Sequence, residues 1–178
     1  MKAKHLKLIL GDQLNPKHSW FEYNEPDVIY VIAELYQEAN YTKHHIQKIT
    51  AFFVAMSEFA QHLESKGHRV CYLTLDDTQQ YQDLTELLKA LTSKYSSESF
   101  TFQRPDEYRL REQLCGMSNQ LGLPVYEADT EHFLLPFDEL PNHFKADTHV
   151  RMENFYRFMR KRFSILMNGL KPEGDAFN

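Results

Sequence analysis

The chain has 178 residues, 42% of them hydrophobic, and a formal net charge of -5, which is typical of a globular protein with one domain. A chain of this length buries about 70% of its unfolded surface, so its core needs neither disulfides nor structural metals. The acidic total disfavours non-specific binding to a phosphate backbone, because such binding depends on lysine and arginine.

Short apolar runs and segments of helical period alternate along the chain. Runs rich in β-branched and aromatic residues predict five strands, at 6–10, 27–33, 69–75, 99–103 and 124–128. Apolar residues at helical spacing predict helices at 46–65, 80–94, 107–121 and about 150–167. This order predicts an α/β fold, a three-layer sandwich around a mostly parallel five-stranded sheet with right-handed crossovers.

The N-terminal stretch "MKAKHLKLILGDQ" contains a short apolar run. Lys7 interrupts this run and Gly11 and Asp12 end it, so it is too short for a secretory leader or a membrane span. We therefore expect a cytoplasmic protein with no membrane partner. Cys71 and Cys115 lie far apart and form no CxxC motif, so we expect both to be half-buried free thiols.

Acidic side chains follow the first two predicted strands. Asp12 comes after the first strand, Glu34 closes the second, and Glu38 and Tyr41 follow in a predicted loop. Because ligands of parallel sheets collect beyond the carboxyl ends of the strands, we expect these side chains to converge there. Structural alternatives stay open: Asp12 stabilising a turn, Glu34 paired within the fold and Glu38 solvated.

Two kinds of chemistry at this edge are disfavoured. An aspartyl phosphotransferase would place its nucleophile where Asp12 lies, but no second Asp follows closely and no phosphate-binding glycine motif is present. Adjacent His44 and His45 on a helix would point about 100° apart, so they cannot easily share a metal ion. We expect these histidines either to make hydrogen bonds or simply to lie near the start of the helix. We expect neither catalytic residues nor metal ligands in the chain.

A flat heteroaromatic ligand suits the cluster better. Ring N–H groups or a polyol would bind the carboxylates of Asp12 and Glu38, and the phenol of Tyr41 would cover the ring. Ala33 and Phe52 would supply apolar walls. The sequence therefore predicts a pocket for a chromophore or a nucleotide.

The last predicted helix carries its apolar side chains in one arc, from Met152 to Leu166. Basic side chains occupy the opposite side, at Arg157, Arg160 and Lys161. We interpret the basic side as a solvated face, with a nucleic-acid surface as the alternative.

Six stretches resemble one family, the bacterial photolyase-related proteins of the iron–sulfur branch of the cryptochrome/photolyase superfamily. The stretches are "LILGDQLNP", "EANYTKHHIQKI", "AMSEFAQHL", "GHRVCYLTLDD", "PDEYRLREQL" and "MENFYRFMRKRFSILMNGLKPEGDAFN". They cover essentially the whole chain in order.

The resemblance implies a Rossmann-like N-terminal domain that can hold an antenna chromophore, in this branch 6,7-dimethyl-8-ribityllumazine. Asp12 of GDQL and Glu38 and Tyr41 of EANY resemble the lumazine contacts, and Ala33 and Phe52 are weaker matches for the walls. FAD, an iron–sulfur cluster and the lesion pocket for damaged DNA belong to a helical C-terminal domain in this family. Cys71 and Cys115 do not match the cluster ligands.

The resemblance also implies a domain organisation. We expect an antenna domain over residues 1–150, and at 151–178 a connecting helix and the start of a linker to a helical domain. The chain would then be the N-terminal domain of a longer light-dependent lyase, cut by design or by proteolysis and unable to repair DNA alone. The rival hypothesis is a module without chromophore that packs on the helical domain through its last helix. A stand-alone hydrolase built on Asp12 is a third hypothesis.

Overall fold

All five runs that were predicted as strands form strands, each within two residues of its predicted limits. They are β1 (His5–Leu8), β2 (Val28–Ala33), β3 (Val70–Leu73), β4 (Ser99–Gln103) and β5 (Val125–Ala128). β2 is buried along nearly its whole length, which is the pattern of a strand covered on both faces.

The computed structural model describes residues 3–40 and 42–177. These residues fall into two compact units, Met1–Phe133 and Leu134–Asn178. The sheet lies in the first unit. The domain boundary expected at residue 150 stays a prediction.

The strands form one sheet in the order β3-β2-β1-β4-β5, and every neighbouring pair is parallel. The predicted α/β class, with a Rossmann-like three-layer arrangement, is therefore confirmed. The chain first builds outward from β1 through β2 to β3, and then crosses to the other side of β1 to add β4 and β5. The strand order reverses between β1 and β4. In folds of this kind, ligands bind in the crevice at the carboxyl ends of the two strands where this reversal occurs.

Six helices connect the strands of the first unit. They are α1 (Tyr36–Asn40), α2 (Ile46–Ser65), α3 (Leu75–Thr78), α4 (Leu84–Tyr95), α5 (Tyr108–Cys115) and α6 (Ser118–Leu121). α2 has the predicted bounds. α4 begins later than expected because the Asp83 side chain accepts a hydrogen bond from the Glu86 N–H and caps the helix there. The helix predicted at 107–121 is two helices, separated at Gly116 and Met117.

Each face of the sheet has its own apolar core. α4 and α5 cover one face, where Leu88 and Leu114 belong to one buried cluster with Phe100 of the sheet. α2 covers the other face, where Phe59 and Leu63 pack in one cluster with strand residues. Each fully buried leucine or phenylalanine contributes about 1.5–3 kcal/mol, so the three layers are held mainly by these two clusters.

A glycine marks the end of α2. Gly67 has a φ of +89°, which side chains with a Cβ rarely adopt. Its N–H donates to the carbonyl of Glu64 at 2.9 Å. The chain therefore leaves α2 at Gly67 and enters β3 at Val70.

Neither cysteine is half-buried as expected. Cys71 lies on β3 within the core and is buried, whereas Cys115 ends α5 and is exposed. Both are free thiols, as predicted. The expectation failed because alternation along a buried strand places Cys71 inward, while the last turn of α5 turns Cys115 outward.

The described part of the second unit contains two α-helices, a 3-10 turn at Phe137–Glu139 and a small hairpin. The helices are α7 (Leu140–His143) and α8 (Met152–Phe163), and the hairpin is the antiparallel pair of β6 (Met167–Asn168) and β7 (Lys171–Pro172). α8 is shorter than the predicted 150–167. Aromatic rings hold α7 and α8 together, with the His143 and Phe158 ring centroids 4.3 Å apart.

The expectation that Arg160 lies on a solvated face of α8 is wrong. Arg160 is only 7% exposed. Its guanidinium donates to the carbonyls of Ile165, at 3.1 Å, and Leu166, and it lies 5.2 Å from the centroid of the Phe177 ring. These carbonyls follow the end of the helix and need donors, so the arginine stabilises the turn into the hairpin.

Within the described part of the chain, none of the helices combines the length and the apolar character that crossing a membrane requires.

Candidate functional site

A cavity of about 350 Å³ opens at the carboxyl edge of the sheet. Gly11 and Asp12 line it from the segment after β1, and Pro105, Asp106 and Glu107 line it from the segment after β4. The cavity therefore lies where the building direction of the sheet reverses. Sequence reasoning applied the strand-end rule to Asp12 but missed Asp106 and Glu107, which follow β4 in the same way.

The structure brings together the site residues expected from the sequence. Asp12, Ala33, Glu38 and Phe52 all line this one cavity. The fifth, Tyr41, lies outside the described residues. The four come from three different segments, the loop after β1, the end of β2 with α1, and the first half of α2.

Gly11 lets the loop after β1 approach α2 closely. A Cβ atom at this position would lie 3.0 Å from the Met56 sulfur and 3.4 Å from a ring carbon of Phe52. Both side chains also line the cavity. A side chain at position 11 would therefore push on the cavity wall, which accounts for glycine beside Asp12.

Gln13 fixes the other side of Asp12. Its side chain is 2% exposed. The amide oxygen accepts from the Leu10 N–H at 3.1 Å. The amide nitrogen donates to the carbonyls of Gln103, at 3.1 Å, and Arg104, at 3.3 Å. The glutamine of GDQL thus joins the carboxyl ends of β1 and β4, and it holds the loop that carries Asp12.

Asp12 lies in an environment that disfavours its charge. The residue as a whole is exposed, but the walls of the cavity partly desolvate its carboxyl group. This burial is the main cause that raises the pKa of Asp12 above its ordinary value of 3.8. Asp106 and Glu107 raise it further, while a backbone hydrogen bond and His132 act in the opposite direction. The acidic side of the cavity thus favours a ligand that brings positive or hydrogen-bond-donating groups.

Glu38 lies on the single-turn helix α1, where the sequence had predicted a loop. Its carboxylate is half-buried, and both of its oxygens lie 3.3 Å from Nη2 of Arg109. The Gln37 amide donates to Glu38 Oε1 at 2.9 Å. Glu38 is therefore an oriented carboxylate, in contrast to the solvated alternative. Sequence reasoning missed Arg109 because the two residues are 71 positions apart.

The floor and walls of the cavity are apolar. Ile49, Phe52, Phe53 and Met56 come from successive turns of α2. Further apolar lining comes from the strand ends and from α4 and α5, at Leu8, Ile9, Leu10, Ala33, Leu35, Leu84 and Leu110. Phe52 is 41% exposed, so its ring is available at the open side. A flat ligand would meet apolar atoms inside and carboxylates at the rim.

The histidine pair lies at the start of α2, as expected. His45 is the N-cap, and its Nδ1 accepts from the Gln47 N–H at 3.2 Å. His44 lines the cavity together with Lys48, and Nδ1 of His44 is 3.3 Å from Nζ of Lys48. Over residues 3–40 and 42–177, no three His, Cys, Asp or Glu side chains are grouped so that they could hold a metal ion.

Glu34 is paired within the fold, which was one of the two alternatives. It is 8% exposed and accepts hydrogen bonds from the Tyr72 hydroxyl and, at 2.9 Å, from the Leu75 N–H. Burial, followed by the nearby Glu34 carboxylate, raises the pKa of the Tyr72 hydroxyl. Glu34 therefore joins β2 to β3 and α3 and does not line the cavity with Glu38.

The chain belongs to the family of deoxyribodipyrimidine photo-lyase-related proteins. The profile of this family matches residues 7–178. The resemblance to photolyase-related proteins that was drawn from the six sequence stretches is thereby confirmed.

Two relatives show how far this similarity extends. The chain is 34% identical over 175 residues to a (6-4) photolyase of Agrobacterium fabrum, and the match covers 97% of this chain. The chain spans only 34% of the length of that photolyase. It is also 25% identical over 184 residues to uncharacterized protein R852 of Acanthamoeba polyphaga mimivirus, covering 98% of this chain and 91% of that protein.

Proposed function

We propose that this chain binds a flat antenna chromophore, 6,7-dimethyl-8-ribityllumazine, in the cavity at the carboxyl edge of its sheet. One observation carries the proposal: Asp12, Ala33, Glu38 and Phe52, to which the family resemblance assigns the lumazine contacts, line a single cavity of about 350 Å³. This volume is within the range of about 300–1,000 Å³ of small-molecule pockets.

The residues present fit this ligand. The carboxylates of Asp12 and Glu38 can accept hydrogen bonds from ring N–H groups or from ribityl hydroxyls. Phe52, Ile49 and Met56 offer apolar surface to the faces of the ring. When bound, the lumazine would supply absorption of near-ultraviolet or violet light. The residues of this chain bind it, orient it and keep water from its ring.

We further propose that the captured energy serves a light-dependent lyase of the photolyase type, in which FAD and an iron–sulfur cluster lie in a separate helical domain. A cluster held by four thiolates needs four cysteines, and this chain has two. Cys71 is buried on β3 and Cys115 is exposed on α5. In this proposal the helical domain and damaged DNA are the partners, residues 151–178 lead towards that domain, and the chain alone does not repair DNA.

Titration with lumazine tests the antenna function. The wild-type protein should bind it and change its absorption and fluorescence, and Glu38→Gln should weaken binding roughly 10- to 100-fold. This range corresponds to the loss of a hydrogen bond to a charged group, about 1.5–3 kcal/mol. Glu58→Gln, at an exposed position of α2, is the matched control and should bind like the wild type.

A second candidate function is a module without chromophore that packs on another domain. It is favoured by the exposed apolar side chains of the second unit, where Leu170 is 94%, Met152 60% and Leu166 58% exposed. The two candidates differ in one measurement. A wild-type protein that gives no spectral change at high lumazine concentration would reject the antenna function and leave the packing module.

A further inference from the structure

The cavity residue Glu38 lies on a helix too short to hold its own orientation. α1 has five residues, and isolated helices of this length are not stable. The Glu38 and Ala39 N–H groups donate to the Leu35 carbonyl at 3.1 and 3.0 Å, and these bonds form a single turn. The direction of the Glu38 carboxylate must therefore depend on side chains from other elements.

Those side chains come from one face of α5. Arg109 and Gln113 are four residues apart, so they project side by side from this helix. Arg109 Nη2 is 3.3 Å from both Glu38 oxygens. Gln113 Oε1 accepts from Gln37 Nε2 at 2.9 Å, and Gln37 Oε1 accepts from the Leu84 N–H at 3.0 Å. α1 is thus tied to α5 and to the first residue of α4.

Arg109 also contacts a second carboxylate of the cavity. Its Nε is 2.8 Å from Glu107 Oε1, and its Nη2 is 3.2 Å from Glu107 Oε2. Glu38 and Glu107 both line the cavity. The guanidinium lies between two like charges that would otherwise repel each other, and its planar group fixes the direction of both.

We propose that Arg109 is a positioning residue of the ligand cavity, which directs the Glu38 carboxylate towards the bound heteroaromatic ligand. Within the described part of the chain, the lining of the cavity includes Glu38 and Glu107, and Arg109 contacts the carboxylates of both. The inference rests on the proposed function, because it names the residue that sets the geometry of the same site.

Three variants test the proposal in titrations with lumazine. Arg109→Ala should weaken binding about tenfold, as expected when a carboxylate loses its charged partner, and should shift the absorption maximum of bound lumazine. Arg109→Lys keeps the charge and should restore part of the affinity. Arg111→Ala is the matched control on the same helix. Arg111 pairs with Glu127 of β5, with its Nε 2.6 Å from Oε2, and its removal should change neither quantity.

Hydrogen exchange of the Glu38 and Ala39 amides, measured without ligand, gives an independent readout. Exchange should be faster in Arg109→Ala than in the wild type and unchanged in Arg111→Ala. Exposed ion pairs contribute little to global stability, so all three variants should fold.

The outcomes separate the two proposals. If Glu38→Gln loses binding while Arg109→Ala binds with wild-type affinity and spectrum, the positioning role is refuted and the antenna function stands. If the wild type does not bind lumazine, the antenna function is refuted. Hydrogen exchange of the Glu38 and Ala39 amides then tests the positioning role by itself. Faster exchange only in Arg109→Ala then supports the positioning of Glu38, and unchanged exchange refutes it.

Discussion

Replacing Gln13 by alanine should destabilise the first unit strongly, although the residue follows a strand in a short loop. The side chain is 2% exposed and makes three hydrogen bonds to backbone groups, at 3.1 Å to Leu10, 3.1 Å to Gln103 and 3.3 Å to Arg104. Each such bond contributes about 1 kcal/mol net, and a buried group left without a partner costs about 1–3 kcal/mol. We therefore expect the free energy of unfolding to fall by about 3 kcal/mol.

Urea unfolding followed by tryptophan fluorescence measures this loss. The only tryptophan of the sequence, Trp20, lies in the first unit. With a slope of about 2 kcal/mol per molar urea, a loss of about 3 kcal/mol lowers the midpoint by about 1.5 M. Gln61→Ala is the control, because Gln61 is exposed on α2 and its amide donates to the Ser57 hydroxyl, at 3.3 Å, on the surface of the same helix. The control should change the free energy by less than about 0.5 kcal/mol.

Equal midpoints for Gln13→Ala and Gln61→Ala would refute the reasoning, since the three buried hydrogen bonds would then contribute nothing. If Gln13→Ala loses much stability but binds lumazine with unchanged affinity, Gln13 does not hold the loop of Asp12 in its binding position. We expect both stability and affinity to fall together.

Burial raises the pKa of Asp12 above 3.8, so the protonated carboxyl stabilises the fold below that pH, and this contribution is lost as the pH rises through the folded-state pKa. Asp12→Asn should therefore have a higher free energy of unfolding than the wild type at pH 7. Urea titrations should show that this difference disappears towards pH 4. Tyr72→Phe removes one partner of the buried Glu34 carboxylate and should cost about 1–3 kcal/mol in the same assay, whereas a loss near zero would contradict this pairing. A thiol reagent should modify Cys115 in the folded protein and Cys71 only after unfolding, and equal rates at both thiols would contradict their different burial.

The position of the cavity follows from the connection pattern of the sheet. β1 and β4 are neighbours whose following segments leave in different directions, so a crevice opens between Asp12 and Asp106. α2 closes this crevice on one side because Gly11 allows Met56 and Phe52 to approach. The same arrangement gives the cavity an apolar interior and an acidic rim.

Local sequence patterns are enough to predict the alternation of strands and helices. Apolar runs of four to eight residues and helical spacing between them predict alternating strands and helices, and buried strands joined by helices must be parallel. The same reasoning placed Asp12 and Glu38 at the carboxyl edge, because chain direction and strand limits are local properties. A structural pairing of Glu34 within the fold was one of the alternatives that the sequence left open.

Which side chains from distant parts of the sequence meet depends on the packing of the whole fold. Arg109 reaches Glu38 across 71 positions because α5 packs beside α1, and Asp106 and Glu107 join Asp12 because β4 is the neighbour of β1. Helical periodicity predicted that Arg160 lies on a solvated face. In the structure its guanidinium is buried because it donates hydrogen bonds to the carbonyls that follow α8. Strand order and helix packing depend on how whole layers bury their apolar surfaces together, and no local pattern of residues carries that information.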